Sequence, residues 1–456
     1  MKGTLTPSTT LDQRRFLSVS VPKHVGDDNA PGNYAFLDRL AALNWVKENI
    51  AAFGGDANRV TIFGESAGSA SVDYLLLSPM SDGLFQRAIL QSGTARLLDG
   101  PRDDMPGQAT LAYGLGRLLG CEQDNTEALV QCLRTVPAND IADKLETPEV
   151  LPDAPGDEPA IGSTSFTPVV DGRFITGLPE DLLDEGAIDK TDVDIMIGAN
   201  ADEGTLFLVF IFPHQVAADD VRMTSAEYEM LYLAFMSDSV KQSPTIQDAI
   251  KLTYVPWADV DFDDTNYAEA FNQMYGDCQQ VCPAESSARA YSNLGANVYY
   301  HMTHSPSSSL YGIKWMNAAH GEGIPFVFGL SLNPVWNWTM TPDEQSKLVR
   351  QWNNIAIGGL ATVRSTRIRV QRTVADDGKQ RALKARECAL WNDFIPKVEN
   401  REEEEEDDDY SGEDGNIDIP VCSGGAIGVV RLSAHIRSVA LMVSIHVTAL
   451  LISQTL

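Results

Sequence analysis

The chain has 456 residues, of which 43% are hydrophobic, enough to bury a large core in one or two domains. A formal net charge of -30 argues against nucleic acid as a partner. The six cysteines include no Cys-x-x-Cys pair with a matching ligand set, which argues against a zinc site.

Residues 1–33 read as irregular, because Pro7, Pro22, Gly26 and the Pro31-Gly32 turn interrupt any regular pattern. The start has a charge but no apolar stretch, so it is not expected to be a secretory signal peptide. From Asn33 the pattern turns helical, with Phe36, Leu37, Leu40, Leu43, Trp45 and Val46 forming an expected buried face. Phe53-Gly54-Gly55-Asp56 ends that helix. A β-branched run, Val60-Thr61-Ile62-Phe63, then climbs to Gly64, and a small-residue helix continues past Gly68. Arg87 to Gly93 is a second short strand.

Residues 94–192 read as helix and loop, with Cys121 and Cys132 enclosing a helical segment. A bridge between them would close a short loop, contributing on the order of 3 kcal/mol on the chain-entropy model. Val193 to Gly198 is the next strand, ending in Asn200-Ala201-Asp202-Glu203-Gly204. Helical patterns fill most of 214–293, Asn297 to Met302 is a further strand, and a helix is expected from Pro342 to Ile357. Strands alternating with helices predict a mostly parallel α/β sheet flanked by helices.

Beyond Lys397 the composition changes. Residues 398–425 read as an acidic disordered linker, with an unbroken acidic run from Glu402 to Asp409. Residues 426–456 comprise a spacer through Arg437 and then Ser438–Leu456, which has no Asp, Glu, Lys or Arg. The small residues Cys422-Ser423-Gly424-Gly425 ahead of that spacer match a GPI-attachment signal. A single membrane span is the competing reading, since the length is close to a bilayer's thickness.

Gly64-Glu65-Ser66-Ala67-Gly68 carries the chemistry. Gly-x-Ser-x-Gly between a strand and a helix is the nucleophile elbow, in which a strained turn exposes the serine and its crowded neighbours lack side chains. The N–H of Ala67 would face a developing oxyanion.

Taken with other blocks, the residues resemble the type-B carboxylesterase and cholinesterase family of α/β hydrolases over about Phe16 to Pro396. The blocks are Pro31 to Asp38, Ala42 to Ile50, Phe63 to Gly68, Phe166-Thr167-Pro168-Val169-Val170-Asp171-Gly172, Gly198 to Gly204, and His320-Gly321-Glu322-Gly323-Ile324-Pro325-Phe326-Val327-Phe328-Gly329. The resemblance implies an α/β-hydrolase domain over residues 1–397 and a triad of Ser66 as nucleophile, Glu203 as acid and His320 as base. Their order along the chain is the one this fold uses. A serine hydroxyl needs an imidazole to take its proton, and a carboxylate to hold that imidazole's tautomer. Asp202 rivals Glu203 by position, and His301 and His304 rival His320 by type; the resemblance alone selects among them. It also implies an oxyanion hole at Ala67, an acyl pocket at Phe166 and Phe207, and bridges Cys121–Cys132 and Cys282–Cys388. Cys278 and Cys422 have no evident family partner. Asn337-Trp338-Thr339 is a glycosylation sequon.

The chain also departs from that family. The signal peptide, first strands and His-Gly-Gly-Gly loop have no counterpart here, which reads as an N-terminally truncated fold, either a fragment or a natural isoform. Leu206 stands where cholinesterases often place an aromatic, and Gly323 stands where relatives often keep an acid. The resemblance implies a serine carboxylic ester hydrolase working through an acyl-enzyme. Its substrate would be a small ester, choline esters included, and no metal or organic cofactor is needed. It further implies a secreted or cell-surface glycoprotein held through its C-terminal tail, with a homodimer allowed. The alternatives are a neuroligin-like adhesion protein without catalysis and an inactive truncated chain.

Overall fold

A computed structural model describes residues 32–96, 105–123, 125–145, 168–188, 190, 192–234, 236, 238–257, 264–303, 313–328, 369–370 and 384–398. Phe166, His304, Asn337, Cys422, the expected helix over 342–357 and the stretch from 399 onward lie outside these residues.

Among the described residues, five strands, β1 (Thr61–Glu65), β2 (Arg87–Gln91), β3 (Asp194–Asn200), β4 (Asn297–Thr303) and β5 (Arg369–Val370), form one sheet in sequential order. Every neighbouring pair is parallel. The mostly parallel α/β sheet read from the sequence is therefore the architecture found. In β2 and β3 nearly every residue is buried, whereas β1 and β4 alternate buried and half-buried positions. Such two-sided burial is the usual state of inner strands in a helix-covered parallel sheet.

Helices α1 (Tyr34–Asn49) and α2 (Ala67–Leu77) pack with the sheet into one core through Phe36, Leu40, Leu75, Leu90 and Ile195. Helix α3 (Thr126–Leu133) closes on it through Leu129 and Leu133. A second core gathers beyond the C-terminal ends of β3 and β4, where Ala199 and Met302 meet α4 (Thr205–Ile211) and α5 (Ala268–Gly276). Helix α6 (Cys282–Asn293) adds Cys282 to the second core and Tyr291 to the first. Among the described residues no helix is long and apolar enough to cross a membrane.

Both expected disulfides are formed: Cys121–Cys132 closes 11 residues and Cys282–Cys388 spans 106. Cys278 is not a free thiol either.

Three local expectations need correction. Trp45 is not on the buried face of α1; it is 48% exposed and leans on the still more exposed Phe53, with ring centroids 5.7 Å apart. Its position lies off the arc that carries Phe36, Leu40 and Leu43. The third strand runs two residues past Gly198, because Ala199 and Asn200 keep pairing with Met302 and Thr303. Cys132 sits inside α3, near its end, rather than flanking it.

Candidate active site

The elbow begins with a strand that has nowhere to go but up and over. A side chain at Gly64 would bring its Cβ to 2.2 Å from the Gly68 carbonyl oxygen, and one at Gly93 would come within 2.4 Å of the Ser66 carbonyl. Backbone packs on backbone at both points, so neither can yield. Between them Ser66 adopts φ 57 and ψ −127, a conformation non-glycine residues avoid and one that costs on the order of 1–3 kcal/mol. Ser66 N–H is tied to the Gln91 carbonyl across the sheet at 2.9 Å. The first bond within α2 runs from the Ala70 N–H to the Ser66 carbonyl, so the N–H of Ala67 precedes the helical ladder, at the positive end of its dipole.

The second part of the site is built at the far ends of β3 and β4. Glu203 follows β3 and is 1% exposed. One carboxylate oxygen accepts from the Asn200 N–H at 2.6 Å and from the Ser92 hydroxyl at 2.5 Å. The other lies 2.6 Å from His320 Nδ1. A carboxylate accepts only, so Nδ1 carries the proton in this bond and Nε2 is left as the acceptor in the neutral ring. His320 Nε2 is directed to the elbow, where Glu65 Oε1 lies 3.4 Å away, on the residue preceding Ser66.

Asp202, the sequence rival of Glu203, braces the loop instead. Its Oδ2 accepts from the Ala318 N–H at 3.1 Å, its own N–H donates to the Ala318 carbonyl, and it bridges Ala319. The Asn200 amide donates to the Ala319 carbonyl at 2.8 Å, and the Thr205 hydroxyl contacts the Met316 carbonyl at the same distance. Three residues at or just after the end of β3, Asn200, Asp202 and Thr205, thus hold the segment that carries His320. His301, the rival imidazole, bonds through Nδ1 to the Ile197 carbonyl at 3.2 Å. Phe207 lies with its ring 6.2 Å from that of His320 and 4.3 Å from that of Tyr275.

Ser92 and Asn200 were not singled out from the sequence. Both stand where a polar residue ends a buried strand, and that is the only mark they carry.

Burial shapes the electrostatics. Desolvation raises Glu65 from 4.5 to about 7, with the His320 charge opposing and Glu203 adding to the rise. For His320 burial works against the charged form, but the Glu65 and Glu203 carboxylates outweigh it and lift the ring to about 9. Desolvation takes His301 the other way, to about 4.

A profile of the carboxylesterase family matches residues 23–384. The chain belongs to the carboxylesterase family. An acetylcholinesterase of Bungarus fasciatus is 36% identical over 391 residues, covering 82% of this chain. The same match covers 62% of that relative, so this carboxylesterase-family chain spans less than two thirds of its length. Among the described residues no group of His, Cys, Asp and Glu is arranged to hold a metal ion.

Proposed function

We propose that this protein is a serine carboxylic ester hydrolase that works through an acyl-enzyme. The observation that carries the reading is the buried 2.6 Å contact between His320 Nδ1 and Glu203, with Nε2 turned to the elbow that displays Ser66. In that reading Ser66 Oγ attacks the ester carbonyl carbon while its proton passes to His320 Nε2. The collapsing intermediate expels the alcohol, whose oxygen takes that proton. Water then repeats the sequence on the acyl-serine, and the carboxylic acid leaves. Glu203 holds the ring's tautomer and stabilises the imidazolium. The Ala67 N–H bonds the oxyanion, and losing one such donor commonly costs about 3–4 kcal/mol.

Phe207, beside His320, forms one wall of the acyl pocket, with Phe166 assigned there by family resemblance. The substrate is a small carboxylic ester; choline esters are the first to try, given an acetylcholinesterase relative and a net charge of -30. The disulfides suit an oxidising compartment, and with them a secreted or cell-surface protein attached through residues 426–456.

A fluorophosphonate probe tests the reaction. It should label the protein on Ser66, and Ser66→Ala should abolish labelling. A folded protein that no active-site phosphonate modifies, and that hydrolyses no short-chain ester, would end this reading.

A further inference from the structure

The cysteines of the chain are Cys121, Cys132, Cys278, Cys282, Cys388 and Cys422. Cys121–Cys132 and Cys282–Cys388 account for four of them. Cys278 is disulfide-bonded as well, within a single copy of the chain. Its neighbour four residues on is already taken, since Cys282 holds Cys388 with their Cα atoms 5.0 Å apart. A cysteine sulfur joins one disulfide at a time, and the cysteine left over in the chain is Cys422.

The surroundings of Cys278 are fixed on both sides. It is buried in a π turn, Asp277–Val281, that joins α5 to α6. Its neighbour Asp277 accepts from Lys384 Nζ at 2.9 Å and from the Tyr254 hydroxyl at 3.1 Å. The Trp391 indole N–H donates to that tyrosine oxygen at 2.8 Å, and the Asn392 amide donates to the Cys282 carbonyl at 3.1 Å. Residues 384–398 are thus fastened to the turn by a disulfide, an ion pair and hydrogen bonds. Val398, the last of them, packs against the same core that contains Cys278. The chain from there to Cys422 can span up to about 80 Å when extended, against the ~5.5 Å between the Cα atoms of a disulfide, so length does not prevent its return.

We infer that Cys278 is bridged to Cys422 of the same chain, so that the acidic stretch is a closed loop returned to this turn rather than a free tether. The return point is close to the candidate site, because a Cβ on Gly276, two residues before Cys278, would fall 3.1 Å from that of Glu203. An attachment through residues 426–456 would then hold this core within a few residues of its anchor. The bond forms by two exchanges with an oxidised dithiol protein. One cysteine thiolate attacks that protein's disulfide and expels one of its thiolates, leaving a mixed disulfide. The other cysteine thiolate attacks the chain's own sulfur in that mixed disulfide, and the oxidant departs as a dithiol carrying the two electrons and two protons. The bridge does not depend on the hydrolase reading.

Peptide mapping of the full chain tests it, with free thiols alkylated first and trypsin added without reductant. Cys278 and Cys282 share the tryptic peptide from Leu252 to Arg289, while Cys388 and Cys422 lie on separate ones that begin at Glu387 and Glu402. All three peptides should be recovered as one linked species, from a protein that runs as a monomer on a non-reducing gel. In Cys278→Ser the Cys422 peptide should come free and alkylated while the Cys388 peptide stays attached. Cys422→Ser, a change outside the buried turn, guards against misfolding of Cys278→Ser; here the Cys388 peptide should stay attached and Cys278 should alkylate, once per chain, after denaturation. A glutamyl protease that nicks the run from Glu402 to Glu406 should leave the C-terminal fragment attached until reductant is added, and in Cys422→Ser the fragment should be lost without it. A Cys422 peptide that is alkylated in the parent chain, or joined to a second copy, would overturn the inference, as would a Cys278 that stays bonded in Cys422→Ser.

Discussion

Two carboxylates face the same imidazole, and their surroundings differ. Glu203 sits at the end of β3, with an N–H and a hydroxyl on one oxygen and the His320 ring on the other. Glu65 ends β1 with a buried oxygen that lacks a hydrogen bond among the described residues, and desolvation raises its pKa to about 7. Fixed donors hold a carboxylate in one geometry, and so orient its partner. Glu65, desolvated and with the Gly321 N–H as the named donor to its carboxyl, is instead pushed up toward neutrality beside the same ring. Residue type assigns neither role; the donors do.

The largest effect expected from breaking this contrast is at Glu203. Glu203→Gln keeps the shape but removes the charge that holds the Nδ1–H tautomer, and the second-order rate of phosphonylation should fall about 10⁴-fold. A loss of less than about tenfold would mean that Glu203 is not the orienting acid. Glu65→Gln, the same change on the other side of the ring, should keep most of the rate at its own optimum.

The elbow end is sharpened by Gly64→Ala. Its new Cβ would fall 2.2 Å from a main-chain oxygen, so strand and helix must separate. Urea denaturation should show a loss of about 3 kcal/mol or more, against less than about 1 kcal/mol for Gly323→Ala. Equal losses would show that close backbone approach does not set the elbow.

These two ends were unequally legible in the sequence. The elbow is local: a β-branched run, two glycines and a small-residue helix within a dozen residues specify the turn, and α2 begins at Ala67, directly after Ser66. Most of the sheet was legible for the same reason, since β2, β3 and β4 are short apolar runs bounded by turn residues; β5, two residues in a basic stretch that reads as irregular, was not. The acid end is not local. Glu203 and His320 are 117 residues apart, and nothing in spacing separates Glu203 from Asp202 or His320 from His301. Only family resemblance named them. Ser92 and Asn200 escaped because their meaning is a contact, 111 residues across the chain for Ser92, and a contact leaves no periodicity. Trp45 misled for a related reason: an aromatic in a helical pattern reads as core, yet a neighbouring ring, Phe53, is its partner at the surface.

Ser92 is where the donor argument can be made quantitative. Its hydroxyl is one of two donors to the same Glu203 oxygen, and Ser92→Ala leaves the Asn200 N–H in place. A hydrogen bond to a charged group contributes about 1.5–3 kcal/mol, so the labelling rate should fall by roughly 10- to 100-fold, well short of Glu203→Gln. Ser92→Thr, which keeps the hydroxyl, should recover part of that loss if the φ of 53 at this residue tolerates a branched side chain.

The smallest effect, and the one that discriminates best, is the pH profile of Glu65→Gln. Both titrating partners are raised, Glu65 from 4.5 to about 7 and His320 from 6.5 to about 9, so the folded protein holds protons that the unfolded chain releases. Stability from this pair is therefore fully present below about pH 4.5 and declines as pH rises, through Glu65 first and then His320. Glutamine removes the first contribution and, by deleting the charge next to Nε2, lowers the second. The acid limb of the labelling rate should then move down by about one pH unit, and the fall in stability between pH 6.5 and 9 should flatten. Glu203→Gln must do something different, because it collapses the rate at every pH. If both variants merely moved the acid limb by the same amount, the two carboxylates would be interchangeable charges, and the donors that distinguish them would have no functional consequence.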